Sequence, residues 1–348
     1  MHRSNTRDGS TVEKSQASNT NDMQQAPLAV SDKGYVVGVD IGGTNLRLAL
    51  ADMTGTIVAK WSSSTVDVRG EHLVVDLIRG GVEHLLQQAG VPRSALRSIA
   101  AGVPGVTDVD AGVVIATSYL MGWRDVPLRT LLEETVGVPA AIDNDVNVAA
   151  IGESWVGAAQ GVRDFIFLAI GTGVGAGIVL NGHPFRGMGW TAGEIGYMLV
   201  PGASEEPVER GKPGALEGII GGEGIKAQWQ HLWHRGDTVL SKDLTATQIF
   251  DHALNGDPLA QTILQHSART LGYAIYNISL ILNCSLFVLG GGVGMHPALR
   301  DATQRILEER GTRTCPKLTH STLGENAQLM GAIRLALDMA NQQSLLLR

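Results

Sequence analysis

The chain has little from which to build a covalent scaffold or a thiolate metal centre. Only two of its 348 residues are cysteine, Cys284 and Cys315. That excludes a disulfide framework and any four-cysteine zinc site. With no secretory signal ahead of them, both read as reduced thiols in a cytoplasmic protein. Charge is also scarce: 18% of residues are Asp, Glu, Lys or Arg, against about a quarter in ordinary domains. Basic residues are the minority, 27 against 34 acidic, for a net charge of -7. A nucleic-acid partner would call for a basic surface, so none is expected. No apolar run is long enough to cross a bilayer, so no membrane partner is expected either. Phe, Trp and Tyr together make 5% of the chain, and residues 1–33 contain none. That stretch, rich in Ser, Asn, Thr and Gln, reads as a disordered tail. It is too short and too polar for a winged helix-turn-helix.

Glycine is what the chain has in excess: 44 residues, about 13% where about 7% is usual. No G-X-Y period appears, so collagen is excluded. The glycines punctuate apolar strands, as tight turns and backbone pressed against a ligand require. Tyr35–Ile41 reads as a strand, 42–45 as a turn, and 46–51 and 56–61 as two more strands. A helix is expected near 71–89 from its 3.6-residue apolar period. Strands follow at 99–103 and 113–116. The opening then recurs: strand Phe165–Ile170, turn Gly171-Thr172-Gly173, strand 175–180. One supersecondary unit used twice implies two similar lobes facing each other. Helices are expected at about 217–232 and 257–283, a short strand at 286–289, and a last helix from about 326. Length and apolar content also point to two domains.

Three glycine clusters end apolar strands: Gly42-Gly43-Thr44, Gly171-Thr172-Gly173 and Gly290-Gly291-Gly292. A phosphate chain needs inward backbone N–H groups with no Cβ in the way. Thr44, Asn45 and Thr172 add side-chain donors. Asp40 offers a hard oxygen suited to Mg²⁺, directly or through water. A plain hairpin turn is the other reading of Gly42-Gly43. No G-x-x-x-x-G-K-[ST] occurs, and no G-x-G-x-x-G opens a helix, so neither a P-loop enzyme nor a Rossmann dehydrogenase is expected. Among carboxylates, Asp143-Asn144-Asp145 stands where an apolar strand meets an Ala-rich helix. Helix capping and projection into a cleft are both open there, one Asp capping and the other projecting. Glu194 lies between glycines in Ala192-Gly193-Glu194-Ile195-Gly196. Glu217 suits either a first helical turn or a ligand.

Asp-x-Gly-Gly-Thr-Asn followed by Gly-Thr-Gly resembles the split phosphate hairpins of the actin-like, ribonuclease H-like ATPases. More specifically, seven segments stand in the order seen in the ROK family of sugar kinases and repressors. They are Asp40 to Asn45, Pro104-Gly105-Val106, Gly122-Trp123, Asn144-Asp145, Gly171 to Gly177, Ala192 to Gly196 and Gly290 to Gly292. This resemblance implies an α/β, two-lobed actin-like fold with a cleft between lobes. Residues 34–143, completed by the C-terminal helix at about 326–348, would form one lobe, and 144–325 the other. It implies an ATP-dependent hexose kinase using Mg²⁺, glucose being the first candidate, that moves the γ-phosphoryl group to the sugar 6-hydroxyl. Asp145 would be the general base. Gly105, Asn144, Glu194, Tyr197 and Glu217 would meet the sugar, while Gly42, Gly43, Thr44, Asn45, Gly171, Thr172, Gly173, Gly291 and Gly292 would hold the nucleotide. A homodimer is expected from the family. A non-catalytic sugar-responsive regulator and a polyphosphate-dependent glucokinase or mannokinase are the alternatives.

The chain departs from the family's zinc pattern at all four ligands, which are here Tyr197, Val208, Arg210 and Ala215. No zinc is therefore expected. Pro201, Pro207 and Pro213 are expected to stiffen that loop, and Arg210 to pair with a carboxylate. Tyr197 is open to two readings, a hydroxyl contact or a core residue. Tyr119 also replaces the Asn that the family often carries before Leu-x-Gly-Trp.

Overall fold

The computed structural model describes residues 34–203, 212–234, 238–310 and 315–346. The tail 1–33 and loop positions Pro207, Val208 and Arg210 lie outside these. Two five-stranded sheets carry the molecule, and their topologies are the same. In the first, Tyr35–Ile41 pairs antiparallel with Asn45–Asp52, which pairs antiparallel with Ile57–Ser64. On its other side Tyr35–Ile41 pairs parallel with Leu96–Val103, and that strand parallel with Ala140–Asn144. In the second, Phe165–Ile170 takes the place of Tyr35–Ile41. Val174–Leu180 and His183–Pro184 follow as antiparallel neighbours, and Leu286–Gly290 and Lys317–His320 as parallel ones. The repeat legible in the two Gly/Thr hairpins thus extends to whole sheets.

Both central strands are nearly continuous apolar runs, as burial on two faces demands. Val37, Val39, Ile41, Leu46, Leu48 and Leu50 pack with the helix Glu71–Ala89 to make the first core. Ile166, Leu168 and Ile170 pack with the helices Ala246–Leu254 and Pro258–Leu282 to make the second. The C-terminal helix Ala327–Leu346 covers the back of the first sheet, where Ile333 and Ala336 meet Val36, Ala49 and Ala100. It also crosses the helix Asp145–Val156 so closely that a methyl at Gly331 would fall 1.7 Å from the Val148 carbonyl oxygen. The helix Asp145–Val156 in turn lends Ala149 and Ala150 to a cluster with Phe165 and Phe167 of the second sheet. It therefore touches both halves.

One expected element differs. The helix expected at 217–232 is two, Glu217–Ile220 and Gly222–Trp233. Gly221 between them is extended, and the Gly222 N–H leaves the helical pattern to donate to the Gly171 carbonyl at 2.8 Å. The break falls at two glycines, poor helix formers, and a tertiary bond to the glycine turn fixes it there.

Candidate active site

Each hairpin tip is closed by its own backbone. Gly42 N–H donates to Asn45 O at 2.8 Å, and Gly171 N–H to Gly173 O at 2.9 Å. Gly43, Thr44, Asn45 and Thr172 are exposed at the tips, where Asn45 Nδ2 donates to Thr44 Oγ1 at 3.2 Å. Beside the second tip lies a cavity of about 400 Å³, lined by Gly171, Thr172, Gly222, Glu223, Lys226 and Gly292 among others. That volume is in the range of small-molecule and cofactor pockets. Gly291 does not line it. Its φ of 77° and the Ile170 carbonyl, 2.5 Å from where a Cβ would stand, make it the glycine that lets the strand turn. Lys226, Glu223 and Gly222 were not singled out from sequence, and the unforeseen break at Gly221 is what brings them to the turn.

The register of the first hairpin sets Asp40 opposite Arg47. Asp40 Oδ2 accepts from Arg47 Nε at 2.8 Å and Nη2 at 2.6 Å. Burial pushes the Asp40 carboxyl up, and Arg47 opposes that push. So one oxygen of the expected Mg²⁺ ligand is already committed to a guanidinium.

At the end of strand Ala140–Asn144, three consecutive side chains take three tasks. Asp143 is buried, with Oδ2 accepting from Arg186 Nε at 3.0 Å and Nη2 at 2.5 Å. Its Oδ1 accepts from Asn147 Nδ2 at 3.2 Å. The expectation that an aspartate caps the following helix is corrected: Asn144 does so. Its Oδ1 accepts from the N–H groups of Val146 and Asn147 at 2.9 and 3.2 Å. Its Nδ2 donates to Gly105 O at 3.0 Å, which ties the expected Gly105 turn to the same corner. Asp145, the first helical residue, is half-buried, and its Oδ1 accepts from Val146 N–H at 3.0 Å. Burial, then the charges of Asp40 and Glu194, push its carboxyl up to about 7. Asp40 and Glu194 are thus close enough for their charges to act on Asp145.

One more acid, Glu217, and two phenols complete the cluster. Glu217 Oε2 accepts from Val174 N–H at 2.8 Å, which fastens it behind the second glycine turn. Glu194 is raised by partial burial and then by Glu217. Its loop is pinned by Gly193, where φ is 98° and a Cβ would lie 1.9 Å from the Ala176 carbonyl oxygen. Tyr197 is 52% exposed and so is not a core residue; burial, then the charges of Glu194 and Glu217, push its phenol up. Tyr119 is raised to about 12 by burial and by Glu217, Asp145, Glu194 and Tyr197. Sequence reading marked it only as a departure from a family pattern.

The cluster thus offers ionisable acceptors and neutral donors suited to adjacent hydroxyls, next to two glycine turns and a nucleotide-sized cavity. Among the described residues no three acidic, His or Cys side chains form a ready metal cage, and none of their helices is long and apolar enough to cross a membrane. Ala215, of the altered zinc pattern, is half-buried beside Leu216.

Comparison with known proteins agrees with this architecture. The model of the ROK family matches residues 36–339. A glucokinase of Halalkalibacterium halodurans is 36% identical over 271 residues, 76% of this chain and 82% of that protein. A crystal structure of a ROK family glucokinase from Streptomyces griseus, in complex with glucose and AMPPNP, is 27% identical with a TM-score of 0.73. It covers 88% of this chain and 100% of that one. A xylose repressor of Bacillus subtilis is 27% identical over 311 residues, 88% of this chain and 77% of that protein. The two-lobed, actin-like ATPase fold is common to this chain and the structures of ROK kinases.

Proposed function

The chain belongs to the ROK family, and on that premise we propose that it is an ATP-dependent hexose kinase, glucose being the first substrate to test. The reading takes residues 34–143 with the C-terminal helix as one lobe and 144–325 as the other. The observation that carries it is the position and environment of Asp145. A carboxyl raised to about 7 by burial, then by the charges of Asp40 and Glu194, can accept a proton at neutral pH and is not locked in an ion pair.

Phosphoryl transfer is chiefly positioning and charge stabilisation. Glu194, Glu217, Tyr197 and Asn144 would orient the sugar so that its 6-hydroxyl meets Asp145. As the oxygen–phosphorus bond forms, the hydroxyl proton passes to Asp145, and the bond from the γ-phosphorus to the bridging oxygen breaks, releasing ADP. Since the closing bonds engage Gly42 and Gly171, the tip residues Gly43, Thr44, Thr172 and Gly173 would supply the phosphate donors. The 400 Å³ cavity beside Lys226 would take the nucleoside. The free oxygen of Asp40 would fit a Mg²⁺ that arrives on the triphosphate and keeps several waters. That ion would neutralise phosphate charge.

The repressor relatives favour a second reading, a sugar-responsive regulator without turnover. One experiment separates the readings: release of ADP is followed with ATP, and glucose consumption with polyphosphate, over a hexose panel, for the native chain and for Asp145→Ala. Sugar-dependent ADP release that Asp145→Ala abolishes supports the kinase. Sugar binding without any release supports the regulator, and turnover on polyphosphate alone replaces the donor.

A further inference from the structure

Tyr119 stands on the loop between the short strands Val113–Ala116 and Arg124–Val126 of a small three-stranded sheet in the first half of the chain. Its backbone lies over the first glycine turn: a methyl at Gly43 would fall 3.1 Å from Tyr119 O. Its side chain crosses to the second turn. A methyl at Gly173 would fall 2.4 Å from the Tyr119 hydroxyl and 2.9 Å from Glu217 Oε2. The phenol and the Glu217 carboxylate therefore converge on one small space. The charges of Asp145, Glu194 and Tyr197 also act on the phenol. Half of the residue remains open to solvent, 51%, so it forms a wall of the cleft and is not part of either core.

A neutral phenol among carboxylates supplies what they lack, a hydrogen-bond donor. An aromatic ring that spans from one turn to the other also takes up room that a substituent on the sugar would need. From this geometry, and on the sugar-kinase reading of the site, we infer that Tyr119 is a specificity-determining residue. Its hydroxyl donates to a sugar oxygen beside Glu217, and its ring excludes hexoses that carry a bulky substituent such as an N-acetyl group.

The full-length protein and its Tyr119→Phe and Tyr119→Ala variants are compared with ATP on glucose, mannose, N-acetylglucosamine and N-acetylmannosamine, with thermal unfolding as the check on folding. Removing one hydrogen bond is expected to raise KM for the preferred hexose about three- to tenfold in Tyr119→Phe. kcat and KM for ATP should change less than about twofold, since an interaction made equally in ground and transition states moves KM alone. In Tyr119→Ala the ratio of kcat/KM for N-acetylated over unsubstituted hexose is expected to rise at least about tenfold. Unchanged sugar KM and unchanged selectivity in both variants overturn the inference. So does a change confined to KM for ATP, or a wild type that already prefers an N-acetylated sugar. If the wild type turns over no sugar, the kinase reading fails separately, and tryptophan fluorescence titration with glucose then decides. Weaker binding by Tyr119→Phe sustains the Tyr119 contact, while equal binding, or none by the wild type, removes it.

Discussion

Replacing Asp145 by Asn is expected to slow turnover about 10²–10⁴-fold and to stabilise the fold at the same time. The carboxyl is raised from 3.8 to about 7 by burial and by the charges of Asp40 and Glu194. A raised carboxyl favours the native state only while it is protonated. That contribution is complete below about pH 4 and is lost as pH rises through about 7, so at pH 8 the ionised group weighs on the fold. A shift of about three units corresponds to a ceiling of about 4 kcal/mol. Asp145 is only half-buried, and water screens part of this. About 1–2 kcal/mol is the working figure, or roughly 2–5 °C in Tm for a chain of this size. Asn keeps the acceptor that meets Val146 N–H but cannot ionise, so it gains that margin. The assay is thermal unfolding of wild type and Asp145→Asn at pH 8, 6 and 5. The gap in Tm should be widest at pH 8 and narrow as the solution is acidified. In parallel, kcat/KM of the wild type should rise about tenfold per pH unit below 7 and level above it, and Asp145→Asn should lose about 10²–10⁴-fold. A variant less stable than wild type at pH 8, or a gap independent of pH, would refute the electrostatic account. Retained turnover would refute the base.

Two further outcomes follow from other contacts. Arg186→Met leaves the buried Asp143 carboxylate without its counter-ion and is expected to cost about 3–5 kcal/mol in denaturant unfolding. Adding Asp143→Asn should restore most of it, and a single variant within about 1 kcal/mol of wild type would remove the ion pair from the account. Lys226→Ala is expected to raise KM for ATP about tenfold or more, the size of one charge-assisted hydrogen bond, while KM for the sugar stays level. An effect on the sugar alone would move the nucleotide out of the cavity beside Lys226.

The parts of this fold that could be read in the sequence are those whose causes are local. Tyr35–Ile41 and Phe165–Ile170 announce themselves as apolar runs ending in Gly and Thr, and the helix Glu71–Ala89 by its period. Even the Asp40–Arg47 pair follows from a four-residue turn, since hairpin register then puts the two opposite. What escaped are features decided across the molecule. Gly222 breaks an expected helix because its N–H bonds to Gly171, some fifty residues earlier in the chain. Asp143 was a candidate cap until Arg186, on the loop leading to Glu194, claimed its carboxylate. Asn144 then inherited the cap because its amide serves the helix and Gly105 together.

The same division runs through the site. The two glycine turns and the strand-to-helix corner at Asp145 are each written in a few consecutive residues, so the proposed chemistry could be read as a motif. The residues proposed to meet the sugar, Tyr119, Glu194, Tyr197 and Glu217, come from distant parts of the chain, and only the tertiary fold brings them together. On that proposal, selectivity belongs to residues outside both sheets, which can change without disturbing either. A chain can keep Asp145 and both glycine turns while it exchanges the residues that meet the sugar. That is the physical reason to seek its substrate preference at Tyr119 and Tyr197 and its reaction at Asp145.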